Sequence, residues 1–156
     1  MAGGDEKIMA FRLDHIGLVV KSLSESVELF HLLGFHEITQ PEPDPIQKVL
    51  ACFVKLRNGQ EVYIEVLEPT EESSPVTIFL KRGGGLHHLC FEVDDIEALS
   101  NALREKEFRI VSPLVDCVGY DRSFGRKCTE ASRIAFSLLP NKTLIELIQK
   151  GALKED

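Results

Sequence analysis

The chain has 156 residues, 44% of them hydrophobic and 28% charged, with a formal net charge of −7. That is enough apolar material for one buried core, and an acidic balance without a Lys/Arg run excludes nucleic acid as the main partner. No apolar stretch reaches membrane-spanning length, and the polar start reads as a flexible leader over 1–10 rather than a signal peptide.

The first predicted element is a strand over 14–20, Asp14-His15-Ile16-Gly17-Leu18-Val19-Val20, apolar on both faces. Ser22 and Glu25 then have capping-box spacing, and Leu23, Val27, Phe30 and Leu33 form a helical stripe that Gly34 ends. A strand is expected over 35–39. The run Pro41-Glu42-Pro43-Asp44-Pro45 reads as a loop, because each proline removes a ladder donor. Strands over 49–56 and 61–67 follow, joined by a turn carrying Asn58-Gly59. Ser74-Pro75 starts a short helix through Val76, Ile78, Phe79 and Leu80, and Gly83-Gly84-Gly85 reads as a linker rather than a phosphate loop.

The second half repeats the first. Leu86-His87-His88-Leu89-Cys90-Phe91-Glu92-Val93 is a strand, Asp94 with Glu97 can cap a helix, and Ile96, Leu99 and Leu103 are its stripe. Strands are expected over 108–112, 133–138 and 143–148, with a last turn at Pro140-Asn141-Lys142. The register is tight: His15 and His88 are 73 positions apart, as are Phe35 and Phe108. The acids inside the closing strands, Glu65 and Glu146, are 81 apart, so the second half holds about eight extra residues. These fall within 113–131, read as a loop over the site. The expected organisation is one domain over 11–150, made of repeats 11–69 and 86–150 joined by 70–85.

Each of the two acids shares a strand face with apolar residues, where an unpaired carboxylate costs several kcal/mol. For one such acid, a strand curled toward solvent is the simpler reading. Two acids matched by two histidines at equivalent places instead make a divalent-metal set, with oxygen and imidazole nitrogen donors. His87 and His88 are adjacent and should point to opposite faces of the strand. The repeat register selects His88, leaving His87 in the core or a pocket. His31 and His36 read as structural. Tyr63 offers either a pocket hydroxyl or core packing. The cysteines at 52, 90, 117 and 128 form no C-x-x-C pair and read as reduced thiols of a cytoplasmic protein. A Cys117–Cys128 bridge across the expected loop is the alternative.

These residues resemble the vicinal oxygen chelate superfamily, which includes glyoxalase I, extradiol dioxygenases and fosfomycin-resistance proteins. The similarity is greatest to its methylmalonyl-CoA epimerase branch. It rests on Asp14-His15-Ile16-Gly17-Leu18-Val19-Val20, on Ile64-Glu65-Val66-Leu67-Glu68-Pro69, and on the block from Ser74 through Gly84-Gly85-Leu86-His87-His88-Leu89-Cys90-Phe91-Glu92-Val93-Asp94-Asp95-Ile96. The resemblance implies an α+β, glyoxalase-like fold of two βαβββ modules, whose mixed sheets cup one divalent ion. It implies His15, Glu65, His88 and Glu146 as ligands, Glu146 as a catalytic group, and cobalt, nickel, manganese or zinc as the metal. It implies a small-molecule substrate, with an acyl-CoA favoured, and a homodimer.

Two places depart from that pattern. The branch has a catalytic Glu just before its Gln-Gly-Val strand entry, and Gln47-Lys48-Val49 puts Ile46 there. The Gly-rich run before the last strand is replaced by Ser137-Leu138-Leu139-Pro140-Asn141-Lys142. In that branch both places line the substrate side, which makes Ile46 an expected substrate-facing residue; Tyr63, through its hydroxyl, is the other. The expected function is a metal-dependent isomerase that moves a proton next to a thioester carbonyl. The alternatives are a glyoxalase I-like isomerase of another small oxygenated substrate and a non-catalytic binding member.

Overall fold

The computed structural model describes residues 10–56, 61–111, 114–141 and 143–155. The expected leader, apart from Ala10, the Asn-Gly turn, Ser112, Pro113 and Lys142 lie outside them. The first half runs β1 (Ala10–Val19), α1 (Leu23–Leu32), β2 (Glu42–Asp44), β3 (Val49–Lys55) and β4 (Tyr63–Pro69). The connecting helix α2 (Thr77–Lys81) leads to β5 (Gly85–Val93), α3 (Ile96–Glu105), β6 (Arg109–Ile110), β7 (Val115–Asp116), α4 (Val118–Ser123), β8 (Arg133–Leu138) and β9 (Leu144–Gln149). The strands form one mixed sheet in the order β2-β3-β4-β1-β5-β9-β8-β6, with β7 also on β8. β1 is parallel to β4 inside its half and antiparallel to β5 across the seam, and β5 is parallel to β9. The two halves therefore mirror one another about the β1–β5 pair, in the glyoxalase-like α+β arrangement.

Local sequence explains the helices. Ser22 Oγ accepts the Glu25 N–H at 3.2 Å, and Leu23, Val27 and Phe30 pack on Cys52, Val54 and Val66. Leu33 leaves the expected stripe: it caps the helix and stays exposed. In the second half the cap is Asp95, not Asp94. Its carboxylate accepts the Ala98 N–H at 3.0 Å, which places Ile96, Leu99 and Leu103 against Val93, Ala135 and Leu147. Gly83, Gly84 and Gly85 all have positive φ, and Gly84 lies so close to the Val19 carbonyl that a side chain there would collide with it. They form the turn into β5.

Three further expectations need correction. The strand over 35–39 is reduced to a single bridge, Ile38 to Val54. The proline run forms β2, which pairs with β3 through Glu42–Ala51, Pro43–Leu50 and Asp44–Val49. β2 ends the strand order, and at an edge a missing N–H need not break a ladder. The segment 113–131 holds β7 and α4 rather than an open loop. Buried Asp121 ties α4 down, accepting from the Ser132 N–H at 2.8 Å and the Ser132 hydroxyl at 2.6 Å. All four cysteines are free.

One buried polar group is out of place. Ser100 Oγ, on the inner side of α3, is the single buried side-chain polar atom without a partner among the described residues. Alanine removes that desolvation cost and is the better helix former. Ser100→Ala should therefore raise the unfolding free energy by about 0.5–1 kcal/mol, read as a higher urea midpoint at unchanged slope. A lower midpoint would show that the hydroxyl is satisfied in solution.

Candidate metal centre

The seam strands and their parallel neighbours converge on one point. His15 comes from β1, His88 from β5, Glu65 from β4 and Glu146 from β9. The register sets Gly17 beside both Glu65 and His88, and Cys90 beside Glu146. His15 Nε2 lies 2.9 Å from Glu146 Oε1 and 3.4 Å from Glu65 Oε1. His88 Nε2 lies 3.2 Å from Glu146 Oε1, 3.3 Å from Glu65 Oε1 and 3.3 Å from His15 Nε2. His15, His88 and Glu146 are at most 5% exposed. Two donors bound at right angles to one ion, each at about 2.1 Å, would sit about 3.0 Å apart. The observed edges lie near that spacing, and the imidazole and carboxylate donors suit a divalent transition metal. The four residues fit such an ion.

A bulge stands beside each histidine. Across the seam Leu13 pairs with Phe91 but His15 with Cys90, leaving Asp14 as an extra residue on β1. Gly17 pairs with His88 but Leu18 with Leu86, leaving His87 as an extra residue on β5. A bulge re-aims a side chain, so strict alternation fails at these two places. His15 Nδ1 donates to Asp14 Oδ2 at 2.8 Å. His87 Nδ1 is 2.8 Å from His88 Nδ1, so the two imidazoles meet instead of facing apart. Burial and the adjacent His88 lower the His87 pKa to about 4 and keep it neutral.

Asp14 is fully buried and compensated. Its Oδ1 accepts from the Tyr120 hydroxyl at 3.0 Å, Arg12 at 3.1 Å and Lys150 at 3.1 Å. Burial alone would raise its pKa, but the His15 hydrogen bond and the charges of His15 and Lys150 outweigh it and hold the carboxyl at about 2. Glu65 and Glu146 are likewise pushed up by burial and pulled down further by the two histidines. Gly17 makes room: a Cβ there would overlap the His88 ring.

A small space beside the donors is lined by Glu42, Asp44, Phe53, Tyr120, Glu65 and Glu146. It shares Asp44, Gln47 and Cys117 with a second, larger cavity of about 450 Å³, walled by Ile46, His87, Val111, Ile134, Phe136 and Leu144. Of the expected substrate-facing residues, Ile46 borders the larger cavity. Tyr63 stands apart, its ring packed on Phe124 at 4.8 Å and Phe53 at 6.3 Å. His31 and His36 stack on each other at the surface. Sequence reasoning passed over Asp14, Gly17, Tyr120 and Lys150. Only Asp14 gave a signal, an acid directly before a candidate ligand.

Known proteins resemble this chain in sequence and fold. The profile of the Glyoxalase/Bleomycin resistance protein/Dioxygenase superfamily matches residues 14–125. The chain is 34% identical over 109 residues to a mitochondrial methylmalonyl-CoA epimerase of Dictyostelium discoideum, covering 69% of this chain and 64% of that protein. It is 36% identical over 103 residues to the mitochondrial methylmalonyl-CoA epimerase of Bos taurus, covering 65% and 57%. The chain thus spans less than two thirds of the length of these curated relatives. Among solved structures, a variant of Streptomyces coelicolor methylmalonyl-CoA epimerase in complex with 2-nitronate-propionyl-CoA superposes with a TM-score of 0.73 at 29% identity, covering 95% of this chain and all of that one. The chain belongs to the Glyoxalase/Bleomycin resistance protein/Dioxygenase superfamily.

Proposed function

We propose that the chain is a metal-dependent epimerase acting at the α carbon of an acyl-CoA thioester, with methylmalonyl-CoA as the first substrate to test. The observation that carries this reading is the four-donor cluster beside a cavity, in a chain whose relatives bear that name. His15, Glu65, His88 and Glu146 would hold one divalent ion, and their donors do not select among cobalt, nickel, manganese and zinc. When bound, the ion supplies positive charge that stabilises the negative charge developing on the thioester carbonyl oxygen.

The chain's own groups must move the proton. Inverting a carbon requires removal on one face and return on the other. Ile46 cannot do this, and it offers an apolar wall where the relatives' pattern has a Glu. Two other carboxylates line the space beside the donor set, Glu42 and Asp44 of β2. Asp44 Oδ1 already accepts the N–H groups of Ile46 and Gln47, at 2.9 and 3.1 Å. The Glu42 side chain makes neither hydrogen bond nor ion pair among the described residues. It is the better proton carrier for one face, with Glu146 serving the other. The four free thiols suit a reducing cytoplasm. No helix of the described residues is long and apolar enough to cross a membrane. The assembly we propose is a homodimer.

Titration calorimetry with Co²⁺ should give about one ion per chain. His15→Ala and His88→Ala should each abolish most binding and Gly17→Ala should weaken it, whereas His31→Ala should match the wild type. Equal loss in all four would sink the assignment of ligands. With Co²⁺ present, the α hydrogen of methylmalonyl-CoA should exchange with deuterium from solvent. Glu42→Gln should slow that exchange by about 10²–10⁴-fold, and Ile46→Glu should speed it. Exchange no faster than in a metal-free control would reject this substrate. Light scattering at micromolar concentration should give a mass above the 17.5 kDa of one chain; a value at that mass would remove the dimer.

A further inference from the structure

We infer that His87 is the positioning residue for His88, doing in the second half what Asp14 does in the first. The inference rests on the reading that His88 binds an ion through Nε2. His87 and Asp14 occupy the same place in the repeat, directly before a candidate ligand, and each is the extra residue of a bulge in the β1–β5 seam. Each turns a heteroatom onto the Nδ1 of the histidine that follows it, at 2.8 Å in both cases. A histidine that binds a metal through Nε2 carries its proton on Nδ1, and the acceptor of that proton fixes the tautomer and the ring orientation.

The two acceptors differ in chemistry. Asp14 is a buried carboxylate inside a net of Arg12, Lys150 and Tyr120. His87 is an imidazole, packed edge-on against Phe79 at 4.9 Å. It also borders the larger cavity with Ile46 and Phe136, whereas Asp14 lines neither cavity beside the donors. A carboxylate, a stronger acceptor than an imidazole nitrogen, makes its histidine the more basic ligand. The metal centre is therefore built asymmetrically on a symmetric frame. His88 is the weaker imidazole, and its support forms part of the cavity wall.

The test separates hydrogen bonding from packing. Asparagine can place Oδ1 near the former Nδ1 and keep an acceptor, while leucine keeps bulk without one. Co²⁺ affinity is measured by titration calorimetry, and the visible bands of bound Co²⁺ report ligand geometry. His87→Leu should lose about 10–100-fold in affinity and shift the Co²⁺ bands. His87→Asn should return both toward wild type. Circular dichroism of each metal-free variant checks the fold. If His87→Leu binds Co²⁺ with wild-type affinity and spectrum, the positioning role is overturned. If Leu and Asn lose affinity equally with unshifted bands, His87 only packs, and the role is again overturned. If the wild type itself binds no Co²⁺, the reading of the metal centre fails first and takes this inference with it.

Discussion

Two carboxylates and two imidazoles with donor atoms within 4.8 Å of one another, largely cut off from water, form an arrangement that only positive charge makes self-consistent. The sheet is organised around that requirement. The seam strands β1 and β5 each contribute a histidine, and their parallel neighbours β4 and β9 each contribute a glutamate. Gly17 clears space for one imidazole, and the Arg12–Lys150–Tyr120 net around Asp14 buries a further negative charge behind the other. Moving any one of these elements would leave a charge stranded in the core.

Much of this was legible because the information is local or repeated. A histidine and a phenylalanine recurring at the same offset, each half closing on a strand with one acid, needed only the sequence. What stayed hidden depends on partners far along the chain. Alternation along one strand predicts opposite faces for His87 and His88, but the pairing partner decides where a strand carries an extra residue. That partner is about 70 positions away. The cap at Asp95 instead of Asp94 is a one-residue ambiguity between adjacent aspartates, settled by which frame turns Ile96 inward. The prolines of β2 were read as excluding a strand, when they exclude only a central one. In 113–131 the lack of a clear period hid a helix too short to show one.

The turn into β3 has an unusual backbone. Lys48 adopts φ 55°, in the left-handed region that favours glycine. A lysine there carries some steric cost. β2, folded back along β3, directs Glu42 and Asp44 to the same concave side as Val49, Ala51 and Phe53. Position 46 in the turn has no carboxylate, and the neighbouring strand supplies two.

The donor set is drawn evenly from both halves, and no half contains more than one imidazole and one carboxylate of it. An unfolded chain has no such site, so a bound ion acts on the folded state alone. At a free concentration one hundred times its dissociation constant, it would add about 2.7 kcal/mol. That is a sizeable share of what holds an ordinary small domain together. Ion supply would then bear on the lifetime of the polypeptide as well as its chemistry, because without the ion a larger fraction of the chain would be open to proteolysis at any moment.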